Sequence, residues 1–270
     1  MAENSCGDDA PEILRYSFDQ IATLYDRARP NYPEQLFNDL FALGNLEPGA
    51  RVLEIGCGTG QASRALARRG CRLVCVELGE RLAEIARRNL ADFPLVEVVT
   101  ASFDTWERPG LDVDMVFAAS AWHWLDPSTR YARAARLLKP GGLLALVIGG
   151  HAFPQDFDPF FTDIQSCYDV IGEGFAKWPP PTPEEVPDER QAIEGSGLFE
   201  DVRVRRYLWT VDYTADTYID LLNTYSGHIV MNKSKRDLLY AEIRQRISAR
   251  PSGQVRKHYL SILHMARLRR

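Results

Sequence analysis

Three groups of residues in this 270-residue chain are of types and spacings that could do chemistry. The stretch "EIGCGTG", Glu54 to Gly60, sets a carboxylate two residues ahead of three glycines spaced G-x-G-x-G. Glycines in such a turn let the backbone approach a ligand closely and adopt positive φ. A second acid, Glu77, ends the apolar run "CRLVCVE". His123, inside "AWHWLDP", carries an imidazole that titrates near neutrality and could act as a general base. The dinucleotide-binding fingerprint is spaced G-x-G-x-x-G, so the glycine spacing here argues against a nicotinamide or flavin dinucleotide.

These residues need elements to position them. Val52 to Gly56, Arg72 to Glu77, Val96 to Ala101, Val113 to Ala119 and Leu143 to Ile148 are short, apolar and mostly β-branched, which predicts strands. Between them, Gln61 to Arg69, Gly79 to Leu90 and Ser128 to Leu138 carry helical periodicity. Alternation of this kind predicts an α/β fold, a Rossmann-like, doubly wound and mostly parallel sheet covered on both faces. Ligands of such sheets sit beyond the carboxyl ends of the strands, against helix N-termini, and Gly56, Gly58 and Gly60 fall in that strand-to-helix turn.

Further along, Pro159 to Val170 predicts a helix, and Asp188 with Gln191 three residues on could cap another. Asp201 to Tyr213 alternates like a strand, while Ala215 to Thr224 and Lys235 to Ile247 are helical in pattern. Gln254 to Leu268 reads as helix or as a last antiparallel strand, and topology favours the strand. The expected organisation is a helical cap over 1–45, a binding core over 46–150, a helical, proline-rich lid over 151–200 and the last strands over 201–270 with a helical insertion at 214–250. The lid contains "WPPPTPEEVP", Trp178 to Pro187, whose prolines forbid regular structure.

A length of 270 residues with a hydrophobic content of 45% suits one good-sized domain or a core domain carrying an insertion. No apolar run approaches the roughly 20 residues that a membrane span needs, and no secretory leader is visible, so a cytoplasmic protein is expected. Cys6, Cys57, Cys71, Cys75 and Cys167 are odd in number and form no C-x-x-C pair, which predicts neither a disulfide framework nor a metal site. A net charge of -5 argues against nucleic acid as a partner. From Lys233 onward, however, basic residues dominate. They read either as a solvated face or as an attraction for an anionic substrate.

The ordered motifs resemble those of the class I S-adenosylmethionine-dependent methyltransferases. Glu54 to Gly60 matches every fixed position of that family's first motif, E-x-G-x-G-x-G. "CRLVCVELGERLAEIARRNL" resembles its second strand ending in an acid, "TASFDTW" its adenine-contacting segment, "DVDMVFAASAWHWL" its fourth strand, and "RLLKPGG" the turn before its fifth. The resemblance implies S-adenosyl-L-methionine as cofactor. It places Glu54 at the ammonium, the loop N–H groups of Gly56, Cys57, Gly58 and Gly60 at the carboxylate, Glu77 with Leu78 at the ribose, and Ser102, Phe103 and Asp104 at the adenine. Ser120 and Trp122 would flank the methyl side.

"FDQIATLYDRARPNYP", Phe18 to Pro33, resembles the lead-in of a subgroup that includes trans-aconitate methyltransferases, in which an aromatic and an arginine close over the methionine end. Tyr25, Arg29 and Tyr32 are the matching positions. Candidates for the acceptor pocket are Tyr32, Trp124, His151, Trp178, Tyr225, Ser226 and His228, with Gly227 as a helix stop. The fourth strand lacks the N-P-P-Y or D-P-P-Y sequence of many nucleic-acid and protein amino-group methyltransferases, which points to a small molecule.

The expected activity is methyl transfer to a small, possibly anionic acceptor, at an oxygen such as a carboxylate, by a monomer or homodimer. A carboxylate needs no base, whereas a phenol, amine or carbon acid would give His123 that role. Three alternatives stay open: N- or C-methylation, cyclisation or lysis within the cofactor with release of methylthioadenosine, and a non-catalytic binding domain.

Overall fold

The computed structural model describes residues 17–174, 178 and 180–270; Cys6 lies outside them. Seven strands form one sheet: β1 Arg51–Ile55, β2 Arg72–Glu77, β3 Val96–Thr100, β4 Val113–Ala119, β5 Leu138–His151, β6 Phe199–Thr214 and β7 Gln254–Leu268. Their order is β3-β2-β1-β4-β5-β7-β6. The first five pair in parallel, and the end strands are antiparallel. In β1 every residue after Arg51 is buried, as continuous apolar runs in a doubly covered parallel sheet require. Strand order reverses between β1 and β4, where Ile55 lies beside Ala118, so the crevice beyond these two strand ends is the topological switch point.

The chain packs as two compact units. One comprises 30–149, 187–207 and 261–270. Its core lies on both faces of the sheet, with Leu36, Phe37 and Leu40 of α2 (Glu34–Gly44) in one cluster and Leu53, Ile55, Val116 and Phe199 in the other. The other unit comprises the described residues up to Arg29 with those of 150–186 and 208–260. It has its own core of Phe160, Phe161, Tyr218, Leu222, Leu239, Ile243 and Ile247.

The helices expected between the strands form as α3 Gln61–Arg68, α4 Glu80–Asn89 and α5 Arg130–Leu137. Gln254–Leu268 is a strand. Almost all of its residues from Val255 to Ala266 are buried, which is why its apolar pattern did not discriminate strand from helix. The turn expected before the fifth strand is instead a register shift inside β5: Leu138 pairs with Val113 and Leu143 with Met115, leaving Lys139 to Gly142 looped out.

Three local expectations are corrected. Pro159 to Val170 is two short helices, α6 Phe160–Asp163 and α7 Gln165–Val170, not one. Asp188 does not cap: α8 (Arg190–Gly195) has Glu189 at its N-cap, and the Asp188 carboxylate accepts the N–H of Arg190 two residues on. Gly227 is no stop either. The preceding helix, α9 Ala215–Leu222, has already ended, and Gly227 lies inside α10, Ser226–Val230.

The basic C-terminal stretch is largely paired. In and beyond α11 (Lys233–Ser248), Lys233 pairs with Asp237, Lys235 with Glu173, Arg244 with Asp216, Arg246 with Glu242 and Arg250 with Asp158. Arg256 makes a bidentate contact with Asp212 at 2.8 and 2.9 Å. Most of these acids come from distant parts of the chain. Exposed pairs of this sort contribute about 0–1 kcal/mol each. Among the described residues no helix is long and apolar enough to cross a membrane.

Candidate active site

The chain leaves β1 at Ile55 and turns at once. Gly56 has φ +65, and a Cβ there would stand 2.5 Å from the Cβ of Ala121, so both conformation and space demand glycine. Its N–H donates to Val76 O at 2.8 Å, and that of Gly60 to Cys57 O at 2.9 Å, which winds the loop tightly into α3. Gly60, with φ +94, is the residue from which α3 starts, so the first N–H groups of that helix open onto the loop.

Both acids meet this loop. Glu77, at the end of β2, is buried; its Oε2 accepts the N–H of Gly58 at 2.8 Å and its Oε1 that of Gly79 at 2.9 Å. The carboxylate is thereby held in one orientation. Leu78 follows, half-buried. Glu54 is 1% exposed, level with Cys75 on β2 and Phe117 on β4. The Cys75 thiol donates to its Oε2 at 3.7 Å. Burial pushes the Glu54 carboxyl up to about 7 despite the opposing effects of Ser63 and Cys75, and the charge of Glu77 adds to the rise. Cys57 is buried beside them, its thiol pushed well up by contact with Cys75 and by burial.

Beyond β4, Ser120 holds φ +54, a strained value for a residue with a side chain. Its N–H donates to Val147 O at 2.8 Å, and its Oγ accepts from the Tyr32 hydroxyl at 3.0 Å. Trp122 is buried against Tyr131, with the Arg130 guanidinium 5.5 Å over its ring, so this indole is packed as core. His123 is exposed, 4.8 Å from the half-buried Trp124, and desolvation by the surrounding protein and the Arg130 charge lower its pKa. After β3, Phe103 is a core side chain beneath the Arg133 guanidinium, and its carbonyl accepts from Arg133 Nε at 3.0 Å. Half-buried Ser102 accepts two backbone N–H groups on its carbonyl, and Asp104 Oδ1 accepts from Asp126 N at 3.3 Å.

The remaining candidates belong to the other unit. Arg29, just after α1 (Ala22–Ala28), lies 5.1 Å from the Tyr25 ring and 4.7 Å from that of Tyr225, and donates to Thr224 O at 2.7 Å. His228 is buried between the hydroxyls of Tyr168 and Tyr240, at 3.4 and 3.2 Å. Burial and the Arg236 charge push it down to about 4. It is therefore neutral at pH 7. Ser226 opens α10 one residue after Tyr225. His151 stands 4.0 Å from Phe153 and 4.5 Å from Phe161, and Trp178 packs on Phe153 and Phe157.

One residue of this unit went unnoticed. Lys257 is wholly buried, 4.6 Å from the ring of Tyr259, whose hydroxyl is 2.6 Å from that of Tyr213. The sequence marked it only as one of many late cations; the lone signal is its place within an apolar strand. Among the described residues no cluster of three His, Cys, Asp or Glu could hold a metal ion.

With this geometry in place, residues 53–146, which span β1 to β5, match the family described as methyltransferase domain. The chain carries a class I methyltransferase domain. The methyl donor of that fold is S-adenosylmethionine. An uncharacterised methyltransferase of Mycobacterium tuberculosis is 28% identical to it over 244 residues, 88% of both chains. A trans-aconitate 2-methyltransferase of Azoarcus is 33% identical over 123 residues, 44% of this chain and 45% of the relative. A malonyl-[acyl-carrier protein] O-methyltransferase of Geobacter sulfurreducens is 32% identical over 163 residues, 57% of each. In fold the methyltransferase resembles an Anaeromyxobacter dehalogenans protein provisionally described as a type II methyltransferase, with TM-score 0.64 and 24% identity over 90% of this chain and 99% of that one.

Proposed function

We propose that this methyltransferase transfers the methyl group of S-adenosylmethionine to an oxygen of a small carboxylated acceptor. The donor half rests on one observation above all: the Glu77 carboxylate is braced on both oxygens, by the N–H of Gly58 in the glycine turn and by that of Gly79. Two fixed acceptor oxygens fit a ribose diol, whose hydroxyls donate. Glu54 would take the ammonium and Ser102 to Asp104 the adenine; of the loop N–H groups expected at the carboxylate, those of Gly56, Gly58 and Gly60 are already given to Val76, Glu77 and Cys57, so that role would pass to Cys57 N–H and the first N–H groups of α3. Tyr25 and Arg29 would serve the methionine end, Ser120 and Trp122 the walls, and Tyr32, Trp124, His151, Trp178, Tyr225, Ser226 and His228 the acceptor.

When bound, S-adenosylmethionine supplies an electrophilic methyl on a sulfonium. The protein's part is then to hold the acceptor oxygen in line and to exclude water, since proximity and orientation alone supply much of the rate. A carboxylate is already ionised at pH 7, so His123 has no proton to remove. The acceptor class is supported by the relatives named for trans-aconitate and for a malonyl group, both of which bear a carboxylate. Free thiols at Cys57, Cys71, Cys75 and Cys167 suit a cytoplasmic setting.

The test is mass spectrometry of purified protein incubated with S-adenosylmethionine, alone and with a panel of small carboxylic acids and phenols. S-adenosylhomocysteine together with a methyl ester, formed only with a carboxylic acid, is the expected result. Methylthioadenosine formed without any acceptor would overturn it.

A further inference from the structure

Several buried side-chain nitrogens beside the end of β5 have no hydrogen-bond partner among the described residues. Lys257 is 0% exposed, and its Nζ has no hydrogen-bond partner among the described residues. His151 Nε2, His258 Nδ1 and Arg29 Nε share that condition. These groups are neighbours within one unit: Lys257 and His151 both face Phe161, at 5.9 and 4.5 Å, and the N–H of Ala152 donates to His258 O at 3.0 Å.

The charges that bear on them are cationic. Burial, with the Arg29 charge adding to it, holds the Lys257 ammonium well below its usual range, and burial, Lys257 and His258 do the same to His151. The nearby acids are already engaged, Asp158 by Arg250 and by the N–H of Arg256, Asp212 by the Arg256 guanidinium. The ring faces of Phe161 and Tyr259 supply only quadrupole attraction. A buried amine left without a partner costs stability that a methionine of similar length would not, so its presence calls for a group that completes it.

We propose that Lys257 and His151 form the receptor for the carboxylate of the acceptor, with Arg29 adding positive charge nearby; this rests on the reading of a carboxylated substrate given above. The aromatic surround, Phe153, Phe161 and Tyr259 with Trp209 stacked on it at 4.6 Å, suits an acceptor whose carboxylate is attached to a flat, unsaturated frame. A bound carboxylate gives the Lys257 ammonium its counter-charge and the His151 ring its hydrogen-bond partner.

The experiment is thermal melting and calorimetry of the full chain with trans-aconitate, benzoate, the neutral benzamide and sulfate, and separately with S-adenosylhomocysteine. The carboxylates are expected to raise the melting temperature of the wild type and benzamide to leave it unchanged. Lys257→Met is expected to melt higher when empty and to bind the carboxylates at least about tenfold more weakly, while its response to S-adenosylhomocysteine is retained. Lys257→Arg, which keeps a cation, should preserve carboxylate binding. An undiminished carboxylate response in Lys257→Met, an equal response to sulfate, or benzamide binding as well as benzoate in the wild type would each overturn the proposal. The last comparison needs no variant, so misfolding of a mutant does not rescue it. Absence of the S-adenosylhomocysteine response would instead sink the methyltransferase reading, which the carboxylate arm leaves untouched.

Discussion

The N–H of Gly58 donates to Oε2 of Glu77 at 2.8 Å, tying the glycine turn after β1 to the acid that ends β2. Glu77 is thus a strut of the loop as well as a candidate ligand-binding group. Glu77→Ala is predicted to weaken S-adenosylmethionine binding at least about tenfold, since a hydrogen bond to a charged group is worth roughly 1.5–3 kcal/mol. It should also lower stability by about 1–3 kcal/mol, because the buried N–H of Gly79 and the partly buried N–H of Gly58 lose their acceptor. Calorimetry and urea denaturation check both. Unchanged affinity would remove the ribose assignment.

Glu54 makes a pH prediction. Its folded-state pKa is raised from 4.5 to about 7, so the empty protein holds this proton more tightly than the unfolded chain does. The stabilising effect of the proton is full below about pH 4.5 and is lost as pH rises through about 7, amounting to about 3 kcal/mol. An ammonium binds the ionised form, so S-adenosylmethionine affinity should increase between pH 6 and pH 8. Glu54→Gln should flatten that profile in titrations across this range. A wild-type profile that is already flat would place the ammonium elsewhere.

Gly56→Ala puts a methyl 2.5 Å from Ala121 at φ +65, combining a clash with backbone strain. The expected loss is about 2–6 kcal/mol, from strain of roughly 1–3 and overpacking of roughly 1–3. Gly49→Ala is the control. Its φ is +91 but nothing lies within 4 Å, so only the strain contribution should appear. Equal losses at the two sites in denaturant titrations would show that Ala121 yields.

His123→Ala should leave turnover within about threefold for a carboxylate acceptor, because no proton has to be removed. A hundredfold drop with unchanged cofactor affinity would make His123 a base and move the acceptor towards a phenol or amine.

The parts of this protein legible in its sequence are those written locally. Strand-to-helix alternation, the glycine turn from Gly56 to Gly60 and the acids Glu54 and Glu77 depend on periodicity and on spacing over a few residues, and the core strands and helices form where that pattern puts them. The misread features depended on distant contacts. The sequence displayed Lys257 as one more late cation, yet packing of β7 among aromatic side chains buries it completely while its neighbours find surface acids. Arg29 and Tyr225 were assigned separately, and the fold brings them together across almost two hundred residues, with Arg29 bonded to Thr224 at a separation of 195.

What the sequence alone determined is the glycine turn with its flanking acids and the order of strands and helices, because backbone conformation and amphipathic period are properties of neighbouring residues. What only the tertiary structure decided is the electrostatic state of the buried groups: which carboxyl is pushed up to about 7, which cations are paired and which amine has no hydrogen-bond partner among the described residues. Those outcomes follow from burial and from partners that the chain brings in from elsewhere, and neither quantity exists until the chain has folded.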